Sequence, residues 1–304
     1  MEASLAECGW TVSAQPFTAS GRGLRDPREI GADGEYWTEY RDLPGANLVA
    51  RYGDGSGPVT AVAAHLDGVA GSPGANDNAS GLAALLELAR VIPKFDLAAP
   101  PLLVALDMEE LGGFGARAFF TEHHEEIREV IVLECVAMTH DEPGTQQVPF
   151  PFGLVYPRVV SSVRRRGRRA DWISVLFRPS SRRLAKSLRA ALREAGGPHF
   201  AHLLCDPLGR AVIGPVLRVL VPALRNLARS DHSDAWELGI PAVCLTDTAN
   251  FRDAAYHTSD DLPDRLDYGF LSRVVAGVAA VVAARAERPS PAGRVRGGDA
   301  RTVP

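Results

Sequence analysis

Three wholly apolar runs, each closed abruptly by a histidine or a carboxylate, constrain this chain more than any other feature. Residues 59–64 (apart from Thr60) run into His65, 102–106 into Asp107-Met108-Glu109-Glu110, and 130–133 into Glu134. Runs of four to six residues are too short for core helices, and they lack the alternation of a half-exposed strand. They fit strands buried on both faces. Helical patterns lie between them. Residues 80–92 are apolar at helical spacing and stopped by Pro93, and about 114–123 follow Gly112-Gly113. Buried strands alternating with helices predict an α/β fold: a single three-layer domain with a central, mostly parallel mixed sheet and helices on both faces. A parallel sheet gathers the carboxyl ends of its strands along one edge, so the polar residues ending these runs should meet there.

The stretch 64–81 is the densest part of that edge. His65 and Asp67 sit where a strand ends, and Asp77 lies in the loop that opens a helix. Residues i and i+2 of an extended chain point the same way. Asp67 is therefore expected to take a hydrogen bond from the second ring nitrogen of His65, fixing its tautomer. An imidazole and a carboxylate across such a crevice make half a metal site. A buried histidine beside a helix-capping aspartate is the other reading, and this stretch alone leaves both open.

Composition narrows the function classes. The 304 residues carry a formal net charge of −4, which argues against nucleic acid as a partner. The four cysteines, Cys8, Cys135, Cys205 and Cys244, include no Cys-x-x-Cys pair, so neither a thiolate zinc site nor a disulfide framework is expected. No basic and then apolar leader is visible at the N-terminus. The longest apolar run, 274–284, is too short to span a membrane. The expectation is a cytoplasmic protein, or a secreted one if the chain is a trimmed form.

The remaining segments read as follows. Residues 20–45 look like loops, 47–52 like a strand, and 139–225 is less regular, with a strand at 171–177 and a helix at 182–195. The basic cluster 164–169 reads as a solvated surface loop, since no aromatics interleave it. A strand at 241–246 and a long helix within 262–286 close a domain spanning 1–286. Residues 287–304 read as a disordered tail.

The polar residues that end or interrupt the strands are few: His65, Asp67, Asp77, Glu109, Glu110, Glu134, Asp231, His232, Tyr256 and His257. Five of them, His65, Asp77, Glu110, Glu134 and His257, can converge as nitrogen and oxygen ligands suited to zinc or a similar divalent ion. Five ligands exceed one tetrahedral site and suit two ions sharing a carboxylate, roughly 3.5–4 Å apart. Glu109 and Glu110 diverge as neighbours, so one can bind metal while the other faces a water.

The segments AHLDGVAGSPGANDNASGLAALLELAR (64–90), LLVALDMEELGGFGARAF (102–119), VIVLE (130–134), ARSDHSDAWELGIPAVCLTDT (228–248) and YHTSDDLPDRLDY (256–268) resemble metallopeptidase family 28. These are the di-zinc aminopeptidases, with the glutaminyl cyclases among their relatives. The resemblance implies the zinc-aminopeptidase type of α/β fold and a first ion on His65, Asp77 and Glu134. It implies a second ion on Asp77, Glu110 and His257, with Asp77 as the bridge. It makes Glu109 the general base, Asp67 the acid orienting His65, and Tyr256 a donor to the tetrahedral intermediate. Arg229 falls near the substrate terminus, and Asp231 and His232 fall on a supporting motif. The implied activity is hydrolysis of the N-terminal residue from a peptide, with zinc, cobalt or manganese as the ion and the substrate amine near Glu109 and Glu134. Two alternatives compete: a mono-zinc acyl transferase of the glutaminyl-cyclase type, and a non-catalytic binding module. The chain departs from the family at Glu134, often Asp, and at Cys135 and Ala137, where Met and Gly are expected. The segment 139–225 lies outside the shared motifs and is expected to form the variable, substrate-side part of the domain.

Overall fold

A computed structural model describes residues 1–25, 36–55, 57–209 and 214–286. Eight strands form one sheet: β1 (Thr11–Leu24), β2 (Trp37–Arg51), β3 (Val59–His65), β4 (Leu102–Leu106), β5 (Ile127–Glu134), β6 (Ile173–Phe177), β7 (Ala201–Cys205) and β8 (Ala242–Thr246). Their order is β1-β2-β4-β3-β5-β8-β6-β7. The central four, β4, β3, β5 and β8, run parallel. At one side β2 pairs antiparallel with β4 and continues into the β1–β2 ribbon. At the other, β6 lies antiparallel to β8, and β7 runs parallel to β6. The sheet is α/β and mixed, as the apolar runs imply.

The strands show why runs without polar residues are needed here. Along β3, Val62 and Ala64 face one apolar cluster, and Ala61 and Ala63 face the other. Along β5, Ile131 and Leu133 divide from Val130 and Val132 in the same way. Nine helices cover the faces among the described residues: α1 (Glu2–Glu7), α2 (Ser80–Val91), α3 (Phe114–His123), α4 (Phe152–Val155), α5 (Pro157–Arg165), α6 (Arg182–Gly196), α7 (Gly214–Leu220), α8 (His232–Glu237) and α9 (Tyr268–Ala286). Leu85 and Leu88 of α2, Leu188 of α6 and Val278 of α9 fill one face. Phe119 and Phe120 of α3 and Trp236 of α8 fill the other. Each such buried side chain stabilises the fold by about 1.5–3 kcal/mol.

Three expectations change. Residues 20–24 and 37–45 are not loops but parts of β1 and β2, whereas 26–35 lie outside the described residues. Their glycines and prolines are tolerated because the ribbon is half exposed and paired on one side over much of its length. The segment 139–225 supplies two strands to the main sheet. The run 274–284 is the middle of the 19-residue α9, long and apolar enough for a membrane by composition, and 61% of that window is buried inside the protein. The basic cluster forms the end of α5 and the turn after it, where Arg166 pairs with Asp171. Residues 287–304 lie outside the described residues.

Candidate metal centre

The carboxyl ends of β3, β4 and β5 face a common crevice; β3 and β5 end in His65 and Glu134, and β4 ends at Leu106, just before the polar run Asp107-Met108-Glu109-Glu110. His65 closes β3 and is almost fully buried. Asp77 lies in the tight turn Ala75–Ala79 that leads into α2. That turn starts from Gly74 at φ 67°, where a Cβ would come within 2.8 Å of the Asp77 carbonyl oxygen. The Asp77–Asn78 peptide is cis. Glu109 and Glu110 follow β4, Glu134 ends β5, and His257 sits in the segment before α9.

His65 Nε2 lies 3.0 Å from Asp77 Oδ1 and 3.5 Å from Glu134 Oε2. On the other side of Asp77, His257 Nε2 lies 2.9 Å from Asp77 Oδ2 and 3.5 Å from Glu110 Oε1. Two groups result, His65-Asp77-Glu134 and Asp77-Glu110-His257, with the ligand atoms of each within 4.8 Å of one another. Asp77 belongs to both, one oxygen to each side. A third group, His65-Glu109-Glu110, brings Glu109 beside both.

Whether the donors fit a metal is decided by what they leave unbonded. Asp77 Oδ2, Glu110 Oε1 and His257 Nε2 are buried, close together and without a hydrogen-bond partner. Buried polar atoms are paired as a rule, and atoms left facing one another across about 3 Å are arranged for something between them. Nitrogen and carboxylate donors without thiolate suit zinc-like ions. The electrostatics agree. Burial and the Asp77 carboxylate push Glu110 up to about 9. Burial also raises Asp77, but His257 and His65 outweigh it and hold that carboxyl well below its usual range. His65 is raised despite burial, by the Glu134 carboxylate and by Asp67 and Asp77. The cluster gathers more negative charge than its imidazoles offset, the environment a divalent cation relieves.

Asp67 differs from expectation. His65 Nδ1 lies 3.0 Å from the Asp67 backbone carbonyl, whereas the Asp67 carboxylate is 3.5 Å away. That carboxylate instead accepts the backbone N–H of Glu109 and of Glu110, each at 3.0 Å. The chain turns after His65, so the i+2 carbonyl reaches the ring and the side chain is freed to hold the next strand's loop. Glu109 is half-buried; desolvation, opposed by His65 and joined by the nearby Glu134, Asp231 and Glu110 carboxylates, pushes its pKa up.

Tyr256 stacks on His257, with centroids 3.8 Å apart, and burial with the Asp77 and Glu134 charges keeps its phenol protonated. Arg229 is exposed and bonds Asn226 at 3.4 Å. It borders both an apolar chamber beside Glu134 and an open cleft beside Glu110 and His257. Asp231 is fully buried with both oxygens unpaired, and His232 Nε2 contacts the Leu227 carbonyl at 3.0 Å.

Several residues escaped sequence reasoning. Ser230 donates to Glu134 Oε2 at 2.8 Å, and the Cys135 thiol, kept protonated by burial, contacts Glu134 Oε1 at 3.4 Å. Asp261 accepts the backbone N–H of Asn76 and Asp77 at 2.8 and 3.1 Å. Asn76 bonds Asp247 at 3.0 Å, and Asn78 bonds the Leu133 carbonyl at 2.8 Å. Ser230 and Asp261 lie within two of the matched segments, the one signal that could have found them. The apolar chamber has a volume of about 100 Å³ and touches Glu134, Tyr256, Phe152, Leu176, Leu204 and Phe251.

Fold and donor set together define a candidate metal centre at the edge of an α/β sheet. Residues 47–161 match the model of peptidase family M28. The chain is 31% identical over 250 residues to the "Uncharacterized protein YfbL" of Escherichia coli (strain K12), covering 77% of this chain and 69% of that one. The chain belongs to peptidase family M28. BSAP, a zinc aminopeptidase from Bacillus subtilis, superposes with a TM-score of 0.64 at 14% identity, over 94% of this chain and 88% of that one. LapA aminopeptidase of Legionella pneumophila gives 0.58 at 20% identity, over 94% of this chain and 63% of its own, so the present chain spans under two thirds of its length. A Porphyromonas gingivalis glutaminyl cyclase gives 0.58 at 17%, over 93% and 87%. At these identities the likeness is one of fold.

Proposed function

We propose that the chain is a di-zinc aminopeptidase that removes an apolar N-terminal residue from peptides. The observation that carries this reading is the pair of three-donor groups sharing Asp77, one of which leaves Asp77 Oδ2, Glu110 Oε1 and His257 Nε2 buried without a hydrogen-bond partner. His65, Asp77 and Glu134 would hold one ion, and Asp77, Glu110 and His257 the other. Such ions, when bound, lower the pKa of a water toward neutrality and polarise a carbonyl. Glu109 accepts a proton from the attacking water and returns it to the leaving amine. Its backbone is fixed by Asp67, so its side chain returns to one position in each cycle. Tyr256, held protonated, serves only as a donor and would stabilise the developing oxyanion. Glu109 and Glu134 offer negative charge to the substrate's free amine. The chamber beside Glu134 takes the first side chain. Its volume of about 100 Å³ is of the order of the roughly 150 Å³ that accommodates benzene in a dry apolar cavity.

Metal analysis with free and N-acetylated leucyl peptides tests the reading. The expected result is close to two zinc ions per chain, cleavage of the free peptide alone, and loss of activity with a chelator. Full activity with one ion removes the bridging role of Asp77. Cleavage of the acetylated peptide overturns the exopeptidase reading, and cyclisation of an N-terminal glutamine in place of hydrolysis replaces it with acyl transfer.

A further inference from the structure

The apolar chamber has a neighbour. A second cavity of about 60 Å³ is lined by Val148, Val159, Val160, Val163 and Trp172, and none of the metal-centre donors reaches it. Phe152, Leu204, Thr248 and Phe251 line both spaces. Of these, Phe152 and Phe251 are the large rings, with centroids 6.3 Å apart at 47°. Phe152 starts the one-turn α4, and Phe251 ends the short helical turn Ala249–Phe251. Their surroundings are held from behind. The buried Arg252 donates to Thr248 at 3.3 Å and to Gln146 at 2.9 Å, and Gln146 lines the second cavity. The two rings thus line both apolar spaces, and Phe251 precedes the clamped Arg252 in the chain.

We propose that Phe152 and Phe251 form a specificity gate across one apolar slot. The first chamber accepts a side chain of leucine or methionine length, and the rings exclude longer ones from the space beyond. This rests on the aminopeptidase reading. Each methylene buried in such a slot is worth about fourfold in affinity. A side chain that reaches the gate loses that gain by collision with the rings.

The test uses the full, zinc-loaded chain and anilides of straight-chain 2-amino acids with side chains of about one to six carbons. For the wild type, kcat/KM rises to about four carbons and then falls. In Phe251→Ala the optimum moves to longer chains, and the ratio of the six-carbon to the three-carbon substrate rises about tenfold or more. Adding Val163→Phe, which fills the second cavity, removes that gain. Phe152→Ala replaces the first variant if Phe251→Ala does not fold. A common loss across all chain lengths overturns the gate, as does a gain that survives Val163→Phe. If the wild type cleaves none of the series, the aminopeptidase reading falls. The gate is then read by calorimetric binding of the free 2-amino acids: a longer-chain optimum in Phe251→Ala supports it, and an unmoved one overturns it.

Discussion

The floor of the site and its apolar wall are held by opposite devices. In the floor, carboxylates take backbone N–H groups. Asp67 holds Glu109 and Glu110, and Asp261 holds Asn76 and Asp77. In the wall, one buried guanidinium gives hydrogen bonds away. Arg252 donates to the carbonyls of Met138, Ala170 and Trp172 and to the side chains of Gln146 and Thr248. A carboxylate clamp fixes a turn while adding negative charge, which suits a place where cations are to bind. An arginine clamp gathers carbonyls from several segments around its own charge and leaves the adjoining surface apolar. On the proposed reading the floor would attract ions and the wall would shape a slot.

The largest expected effect is in the floor. Glu109→Gln should lower kcat by about 10²–10⁴-fold with zinc content retained. Glu110→Gln should lower occupancy of one ion, since a neutral amide oxygen is a poor zinc ligand beside a carboxylate. Metal content measured beside kcat distinguishes the two, and the opposite pattern reverses their roles. Next comes Asp67→Asn, which keeps one acceptor but turns an amide N–H₂ toward the second backbone donor. A loss of about 10–100-fold in activity or zinc affinity is expected. An unchanged enzyme would mean that the Glu109-Glu110 turn holds itself.

The wall should answer differently. Arg252→Met is expected to cost about 3 kcal/mol of stability and to raise KM for apolar substrates, with two ions still bound. Loss of zinc in this variant would mean that wall and floor are one unit. The smallest effect concerns acid. Burial and the nearby Arg193 lower the pKa of His202, which packs edge-on against Trp172, from 6.5 to about 4. The folded chain keeps the ring neutral where the unfolded chain protonates it. Stability present above pH 6.5 is therefore lost as pH falls toward 4, by up to roughly 3 kcal/mol. Melting temperatures between pH 7 and 4.5 should fall less steeply in His202→Phe, and equal slopes would assign the acid limb to other groups.

The same division explains what the sequence makes legible. The floor's donors end apolar strands, so the strand pattern and the residue types point to one edge of the sheet before any coordinates exist. The wall's parts carry no such mark. Arg252 is one of 33 basic residues, and its partners are mostly carbonyls, which every residue has. The slot's lining, from Val148 to Phe251, reads as ordinary core. The β1–β2 ribbon was hidden for another reason: its exposed, glycine-containing sequence matches a loop, and only pairing from Thr11↔Arg51 to Leu24↔Trp37 makes it strand. The role of Asp67 depends on where the chain turns after His65, which spacing alone does not reveal.

The donors span His65 to His257, and the assembled sheet is what brings each group of three within 4.8 Å. On the metal-centre reading, a divalent ion would bind the native chain and find no comparable site on the unfolded one. Mass action would make such an ion a cross-brace, worth about 2.7 kcal/mol when free metal exceeds its dissociation constant a hundredfold. Scarcity of the ion removes that brace, and the unfolded population rises by about the same hundredfold factor. On that reading the lifetime of the protein, and not only its turnover of substrate, would follow the metal supply around it.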